Sequence, residues 1–203
     1  MSSARKHDKE FTIGVDLDGV VADYETRLRE IASEILKEDP KRFPPARHWS
    51  LVEAGWPFQD EAHYLEVHRQ AVQEHGLFRR LTPIPGASEA LWRMSDAGVR
   101  IRIVTYRLVV NFAHAAAVSD TVNWLDDKRI PYRDICFVRD KAEVGADLYV
   151  DDSPANINAL RAARGDEIAM TYNQLYNMHI PGLRAMNWDD VLSEVADRSG
   201  LEL

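Results

Sequence analysis

Short apolar runs punctuate this chain, and between them apolar residues recur at helical spacing. The first run, Phe11 to Val15, leads straight into Asp16-Leu17-Asp18-Gly19-Val20, which predicts a buried strand over 11–16 ending in two acids and a turn. Past Gly19 the period changes. Tyr24, Leu28, Ile31 and Ile35 share a helical face, and Pro40 bounds that helix. Residues 40–57 hold Pro40, Pro44, Pro45, Gly55 and Pro57 and read as irregular chain. A second helical pattern over 61–74 puts Leu65, His68 or Arg69, and Val72 on one side, with Gly76 past its end. Thr82-Pro83-Ile84-Pro85-Gly86 reads as a rigid connector, and Ala87, Leu91 and Met94 mark a helix closed by Gly98.

The same alternation continues to the C-terminal side. Val99 to Val104 is the second main strand, its apolar residues alternating with Arg100 and Arg102, and Thr105-Tyr106-Arg107 follows it. A long helix is expected over 111–127, with Phe112, Ala115, Val118, Val122 and Leu125 on its buried face. Ile135 to Val138 is a third strand, and Leu148 to Val150 a fourth that runs into Asp151-Asp152. Ser153-Pro154 supplies an N-cap and a proline at the first helical position of a helix that carries Ile157 and Leu160 and closes at Gly165. Ile168 to Thr171 is a fifth strand, and Asn187 caps a last helix. Strands alternating with helices predict an α/β fold, a doubly wound parallel sheet of Rossmann-like type. The interval between the first two strands is the exception, at about sixty residues, far more than a crossover needs. Residues 22–80 are therefore expected to form a small helical cap inserted after the first strand. Residues 1–21 and 81–203 would form the core, with 1–10 a loose tail.

Composition narrows the partners. The 203 residues carry a net charge of −8 and no basic stripe, which argues against a nucleic-acid polymer or an anionic membrane surface but not against a small anionic ligand. Cys136 is the single cysteine, so no disulfide forms within the chain, and its apolar strand suggests a buried thiol. Residues 1–10 are polar and show no secretory signal, and no run is long enough to span a bilayer, so a soluble cytoplasmic protein is expected. The aromatic residues Phe43, Trp49, Trp56 and Phe58 should mostly fill a satellite core, leaving one or two to stack on a flat ligand.

In a sheet of this kind ligands bind beyond the carboxyl ends of the strands. Four strands deliver chemistry there: Asp16 and Asp18 from the first, Thr105 from the second, Lys141 after the third, and Asp151-Asp152 from the fourth. Each alone has a bland alternative, such as a turn, a surface lysine or a helix start; together they suit phosphoryl transfer. A divalent cation and a lysine offset the charge of phosphate, and hard carboxylate oxygens suit Mg²⁺. One carboxylate can attack phosphorus while a second moves protons. Arg107 reads as a surface or ion-pair residue that could also contact substrate, and 172–177 as a loop packed near the site.

With these motifs in order, the chain resembles the haloacid dehalogenase-like phosphohydrolases, and within them the 5′(3′)-deoxyribonucleotidases. The likeness rests on Asp16 to Tyr24, on Gly76-Leu77-Phe78 with Pro83 to Ala87, and above all on Arg139-Asp140-Lys141 running without a gap to Asp151-Asp152. Relatives usually carry a small residue after the threonine, where this chain has Tyr106-Arg107. The resemblance implies roles. Asp16 would be the nucleophile and a Mg²⁺ ligand; Asp18 would be the general acid/base and give its backbone carbonyl to the metal. Asp152 would bind the metal directly, with Asp151 behind it. Thr105 and the Tyr106 N–H would hold phosphate, Lys141 would neutralise it and the attacking carboxylate, and Tyr24 would face the base or sugar. The implied activity is a Mg²⁺-dependent phosphomonoesterase acting on (deoxy)nucleoside 5′-monophosphates through an aspartyl-phosphate. Two alternatives are a phosphatase for another small phosphate, such as a sugar phosphate, and a catalytically silent binding module on the same fold. The partner expected is thus a small phosphate ester, with a homodimer compatible with the sequence.

Overall fold

The computed structural model describes residues 10–109 and 113–203. In chain order it runs through β1 (Thr12–Val15), β2 (Ala22–Asp23), α1 (Tyr24–Leu36) and α2 (Glu61–Gln73). It returns through β3 (Thr82–Pro83) to α3 (Ala87–Asp96), β4 (Arg100–Thr105), α4 (His114–Asp127) and β5 (Asp134–Phe137). β6 (Leu148–Asp151), α5 (Pro154–Arg164), β7 (Ala169–Tyr172), β8 (Arg184–Ala185) and α6 (Trp188–Ser199) complete it.

Six strands form one sheet in the order β5-β4-β1-β6-β7-β8, and every neighbouring pair is parallel. From β1 the chain winds outward through β4 and β5, then crosses back to β6 on the other side of β1. That reversal opens a crevice at the carboxyl ends of β1 and β6, the two strands that carry the acids. Their central place explains their burial: Ile13, Val15, Leu148 and Val150 are almost fully enclosed. Edge strand β5 is only half-buried along its length, and Cys136 with it, so the buried thiol expected there is a partly exposed one. Strand β8 was not foreseen, because two residues beginning with an arginine carry no period to detect.

Helix faces show where periodicity misleads. On α2 the buried residues are Val67, His68, Ala71 and Val72, while Leu65 is 40% exposed and Arg69 is only half-buried. On α4 the expected face over Ala115, Val118, Val122 and Leu125 is rotated toward Ala117, Thr121, Trp124 and Leu125. Trp124 decides this: its large ring is fully buried and its indole N–H donates to the Leu81 carbonyl at 2.8 Å. Asn111 and Phe112, the expected start of this helix, lie outside the described residues, as do residues 1–9 of the tail.

Between β1 and β4, helices α1 and α2 pack on one another. The chain leaves and re-enters the sheet layer through an antiparallel ribbon in which Ala22 pairs with Pro83 and Asp23 with Thr82. Phe43, Trp56 and Phe58 form a buried aromatic cluster, with ring centroids 5.1 Å apart for Phe43 and Trp56 and 5.9 Å for Trp56 and Phe58. Trp49 escapes it and is 56% exposed. Among the described residues, no helix is long and apolar enough to cross a membrane.

Candidate active site

β1 ends in a tight turn that sets two acids on separate paths. The Leu17 carbonyl accepts the N–H groups of Val20, Val21 and Ala22 at 3.2, 2.9 and 2.8 Å, closing the chain back on itself. Gly19 sits in this turn at φ +78°, and a Cβ there would lie 2.0 Å from Asp152 Oδ2. Asp16 stays with the sheet, its N–H donating to the Val150 carbonyl of β6 at 3.0 Å. Asp18 has moved on into the turn.

Lys141 arrives from the other side. Asp140 caps the single turn that carries it, accepting from the Ala142 N–H at 3.0 Å. The lysine is 4% exposed and its Nζ lies 2.8 Å from Asp16 Oδ1 and 2.6 Å from Asp151 Oδ2. Burial works against this ammonium, but Asp151 and Asp16 outweigh it and its pKa is raised. Lys141 is thus a permanent cation at the carboxyl ends of β1 and β6.

The three sheet-end acids differ in what satisfies them. Asp151 is saturated by protein: besides Lys141 it accepts from the Ser153 N–H at 2.9 Å and from Asn156 Nδ2 at 3.2 Å to both oxygens. Asp152 takes the Tyr176 hydroxyl on Oδ2, while its Oδ1 is buried with no hydrogen-bond partner among the described residues. Carboxylate oxygens of Asp16, Asp151 and Asp152 lie within 4.8 Å of one another. Burial pushes the Asp16 carboxyl up to about 7, against the pull of Lys141 and with Asp151 and Asp18 adding repulsion. Burial, then the charges of Asp16 and Asp151, raises Asp152 well above the ordinary carboxylate range. Crowded, buried, oxygen-only donors around an orphaned carboxylate oxygen fit a hard divalent cation. Asp16 and Asp152 are the acids with oxygen to spare for one; Asp151 is already spoken for.

Asp18 lies outside that cluster. Its carboxylate is gripped by Arg107, with Nε to Oδ2 at 2.9 Å and Nη2 to Oδ1 at 2.6 Å. Arg107, read as a surface or ion-pair residue, is buried at 3% exposure and is the ion-pair partner of the second acid. No local sequence signal distinguishes a buried arginine of this kind from an exposed one.

These groups line a cleft of roughly 930 Å³. Asp16, Asp18, Thr105, Lys141 and Asp152 form its polar floor; Tyr24, Tyr64, His68 and Phe78 form one wall, and Trp49, Tyr106, Leu175 and Tyr176 face it from the rim. All the residues expected at the site from the sequence therefore line it except Asp151, which lies beneath the floor, bonded to Lys141. Thr105 is buried and Tyr106 is 42% exposed. The Tyr24 and Tyr64 hydroxyls are 3.2 Å apart, and both are held protonated, first by burial. Burial pushes the neighbouring His68 imidazole down to about 4, against the attraction of Asp18, so it is neutral. The loop after β7 closes the site: Gln174 Nε2 donates to the Gly19 carbonyl at 2.7 Å, and Asn177 Nδ2 to the Asp152 carbonyl at 2.8 Å. Tyr176 belongs to the loop expected near the site, whereas nothing in the sequence marks Asn156 or His68 for it, which only the folded chain brings to the acids.

Comparison with known proteins gives the same direction. A sequence model of the family described as 5′ nucleotidase, deoxy (pyrimidine), cytosolic type C, matches residues 10–198. A Chlorobaculum tepidum protein provisionally named a 5′(3′)-deoxyribonucleotidase is 46% identical over 179 residues, covering 88% of this chain and 87% of its own. The human cytosolic-type 5′(3′)-deoxyribonucleotidase is 25% identical over 193 residues, covering 90% and 92%. A HAD-superfamily hydrolase from Geobacter sulfurreducens shares the fold at a TM-score of 0.56 and 15% identity, covering 91% of this chain and 98% of its own. The chain therefore belongs to the deoxy (pyrimidine) cytosolic type C family of 5′-nucleotidases, built on the fold of the HAD-superfamily hydrolases.

Proposed function

We propose that the protein is a Mg²⁺-dependent phosphomonoesterase that hydrolyses (deoxy)nucleoside 5′-monophosphates through an aspartyl-phosphate on Asp16. The observation that carries this is the pairing of a pinned nucleophile with an unsatisfied neighbour: Lys141 holds Asp16 Oδ1 at 2.8 Å while Asp152 Oδ1 is buried without a partner among the described residues. Asp16, Asp152 and the backbone carbonyl of Asp18 would hold the metal. When bound, Mg²⁺ would offset the negative charge of the phosphate and of the acids around it.

The chain's own residues divide the rest of the work. Thr105 and the Tyr106 N–H hold phosphate oxygens, and Lys141 balances their charge. With one oxygen held by Lys141, the other oxygen of Asp16 attacks phosphorus. The bond from phosphorus to the sugar oxygen breaks, and Asp18 delivers the proton that the departing alkoxide needs. Asp18 then takes a proton from water, whose oxygen attacks phosphorus; the bond to Asp16 breaks, and inorganic phosphate and free Asp16 are regenerated. Two chemically distinct duties fall to two acids two residues apart because the turn at Gly19 separates them. The aromatic wall, with Tyr24 in it, suits a nucleoside as the leaving group, and the names of the relatives point to the same substrate class.

The test is phosphate release from deoxynucleotides, ribonucleotides and sugar phosphates with Mg²⁺, by the wild type and by Asp16→Asn. Release from nucleoside monophosphates that Asp16→Asn abolishes, by at least about a thousandfold, is expected. Release from sugar phosphates alone would overturn the substrate class, and an active Asp16→Asn protein would overturn the nucleophile.

A further inference from the structure

Arg107 has no part in the steps above, yet it is among the most firmly held side chains in the cleft wall. Two of its nitrogens fork onto Asp18 at 2.9 and 2.6 Å. The third, Nη1, donates to Thr121 Oγ1 on α4 at 3.0 Å, and Thr121 is itself fully buried. The guanidinium lies over the Phe78 ring, 4.4 Å from its centroid, with the Trp124 ring at 6.0 Å. Within the pair, the Arg107 side chain is 1% exposed and that of Asp18 is 26% exposed. The fixed member is the arginine; the member open to the cleft is the acid.

We propose that Arg107 is a positioning residue that sets the direction of the Asp18 carboxylate relative to the leaving-group oxygen; this rests on the assignment of Asp18 as the proton-transfer group. A fork occupies one lone pair on each carboxylate oxygen and leaves the others available to the cleft. Its planar geometry fixes the plane of the carboxylate, which a point-charged lysine cannot do. Direction matters only where a proton must be handed over. The alkoxide leaving a nucleotide needs that proton, whereas an aryl phosphate releases a stable phenolate without it. Arg107 therefore acts as a discriminator between ester types, and its loss should show as a change in that ratio.

The experiment measures kcat/KM, which reports steps up to the aspartyl-phosphate, for a deoxynucleoside 5′-monophosphate and for p-nitrophenyl phosphate. Wild type, Arg107→Met, Arg107→Lys and Thr121→Val are compared with Mg²⁺ present. Both Arg107 variants should lose roughly a hundredfold on the nucleotide and less than about fivefold on the aryl ester. Equal losses on the two esters, no loss on either, or rescue by lysine would overturn the proposal. Should the Arg107 variants not fold, Thr121→Val decides: a shift of the ratio in the same direction by about fivefold is expected, and an unchanged ratio overturns it. A wild type inactive on both esters would overturn the phosphatase assignment and this proposal with it.

Discussion

At Gly19 the backbone adopts φ +78° within 2.0 Å, measured from a would-be Cβ, of the Asp152 carboxylate. Both constraints oppose any side chain, and the second falls on an acid that Tyr176 already holds. Gly19→Ala should lower stability by about 1 kcal/mol from the left-handed backbone alone. Displacing Asp152 should cut kcat/KM by roughly a hundredfold, since such misplacement in an active site costs about that much. Urea unfolding and steady-state kinetics check the two effects separately. His68 gives a pH signature of its own. Burial holds its pKa near 4, below the ordinary value of 6.5, so between these values the unfolded chain binds a proton that the native protein does not. Stability from His68 is present above pH 6.5 and is lost as pH falls toward 4, by up to roughly 3 kcal/mol. The difference in unfolding free energy between wild type and His68→Phe should therefore be flat above about pH 7 and fall below it. A flat difference down to pH 4 would contradict the buried, neutral imidazole. Neither constraint was written locally in the sequence. Gly19 was legible as a turn, but not as the neighbour of an acid 133 positions on, and His68 was one of two candidates for a helix face.

The elements were legible where their punctuation was strong. Ser153-Pro154 marked the start of α5, and in the structure the Ser153 side chain accepts the Asn156 N–H at 3.4 Å with Pro154 in the first turn. Ser153→Ala should cost about 1 kcal/mol as a lost N-cap, read as a lower urea midpoint at unchanged slope. Asn187 likewise caps α6, accepting the N–H groups of Asp189 and Asp190 at 2.9 and 3.2 Å. On α2, His68 and Val72 are buried as expected and Leu65 alone turns outward; what failed was the choice of face on α4. Small or aliphatic residues at one spacing compete there with large ones at the next, and the spacing alone does not weigh them. A buried Trp124 outweighs an exposed Val118 because the indole removes more apolar area and finds a carbonyl acceptor. The short ribbon of β2 and β3 escaped notice for a different reason: its residues pair across an interval of about sixty positions, which no local pattern reports. The strand-end acids and Lys141 escaped this difficulty because the parallel sheet places every strand end on one rim, whatever the spacing in sequence.

Across the whole molecule, that shared rim concentrates negative charge that the rest of the fold must tolerate. Asp16, Asp151 and Asp152 crowd together with one buried ammonium, Lys141, bonded to two of them. Asp151 is compensated; Asp152 keeps a buried oxygen without a partner among the described residues, and burial and repulsion raise its pKa well above the ordinary range. An active site of this kind stores instability that a cation relieves. Removing the charge at Asp152 should therefore stabilise the metal-free protein while abolishing its response to metal. Asp152→Asn keeps an acceptor for Tyr176 and should raise metal-free stability by on the order of 1 kcal/mol. Wild-type protein at a hundredfold excess of Mg²⁺ over its dissociation constant should gain about 2.7 kcal/mol, and Asp152→Asn almost none. Asp151→Asn should do the opposite at the metal-free stage. It weakens the partner of a buried lysine, so it should destabilise by roughly 3 kcal/mol. Thermal unfolding of the three proteins with Mg²⁺ and with a chelator gives all these comparisons in one experiment. A metal-free Asp152→Asn protein less stable than wild type would mean that Tyr176 and the backbone, rather than a missing cation, balance this acid. A full Mg²⁺ response in that variant would remove Asp152 from the metal site altogether.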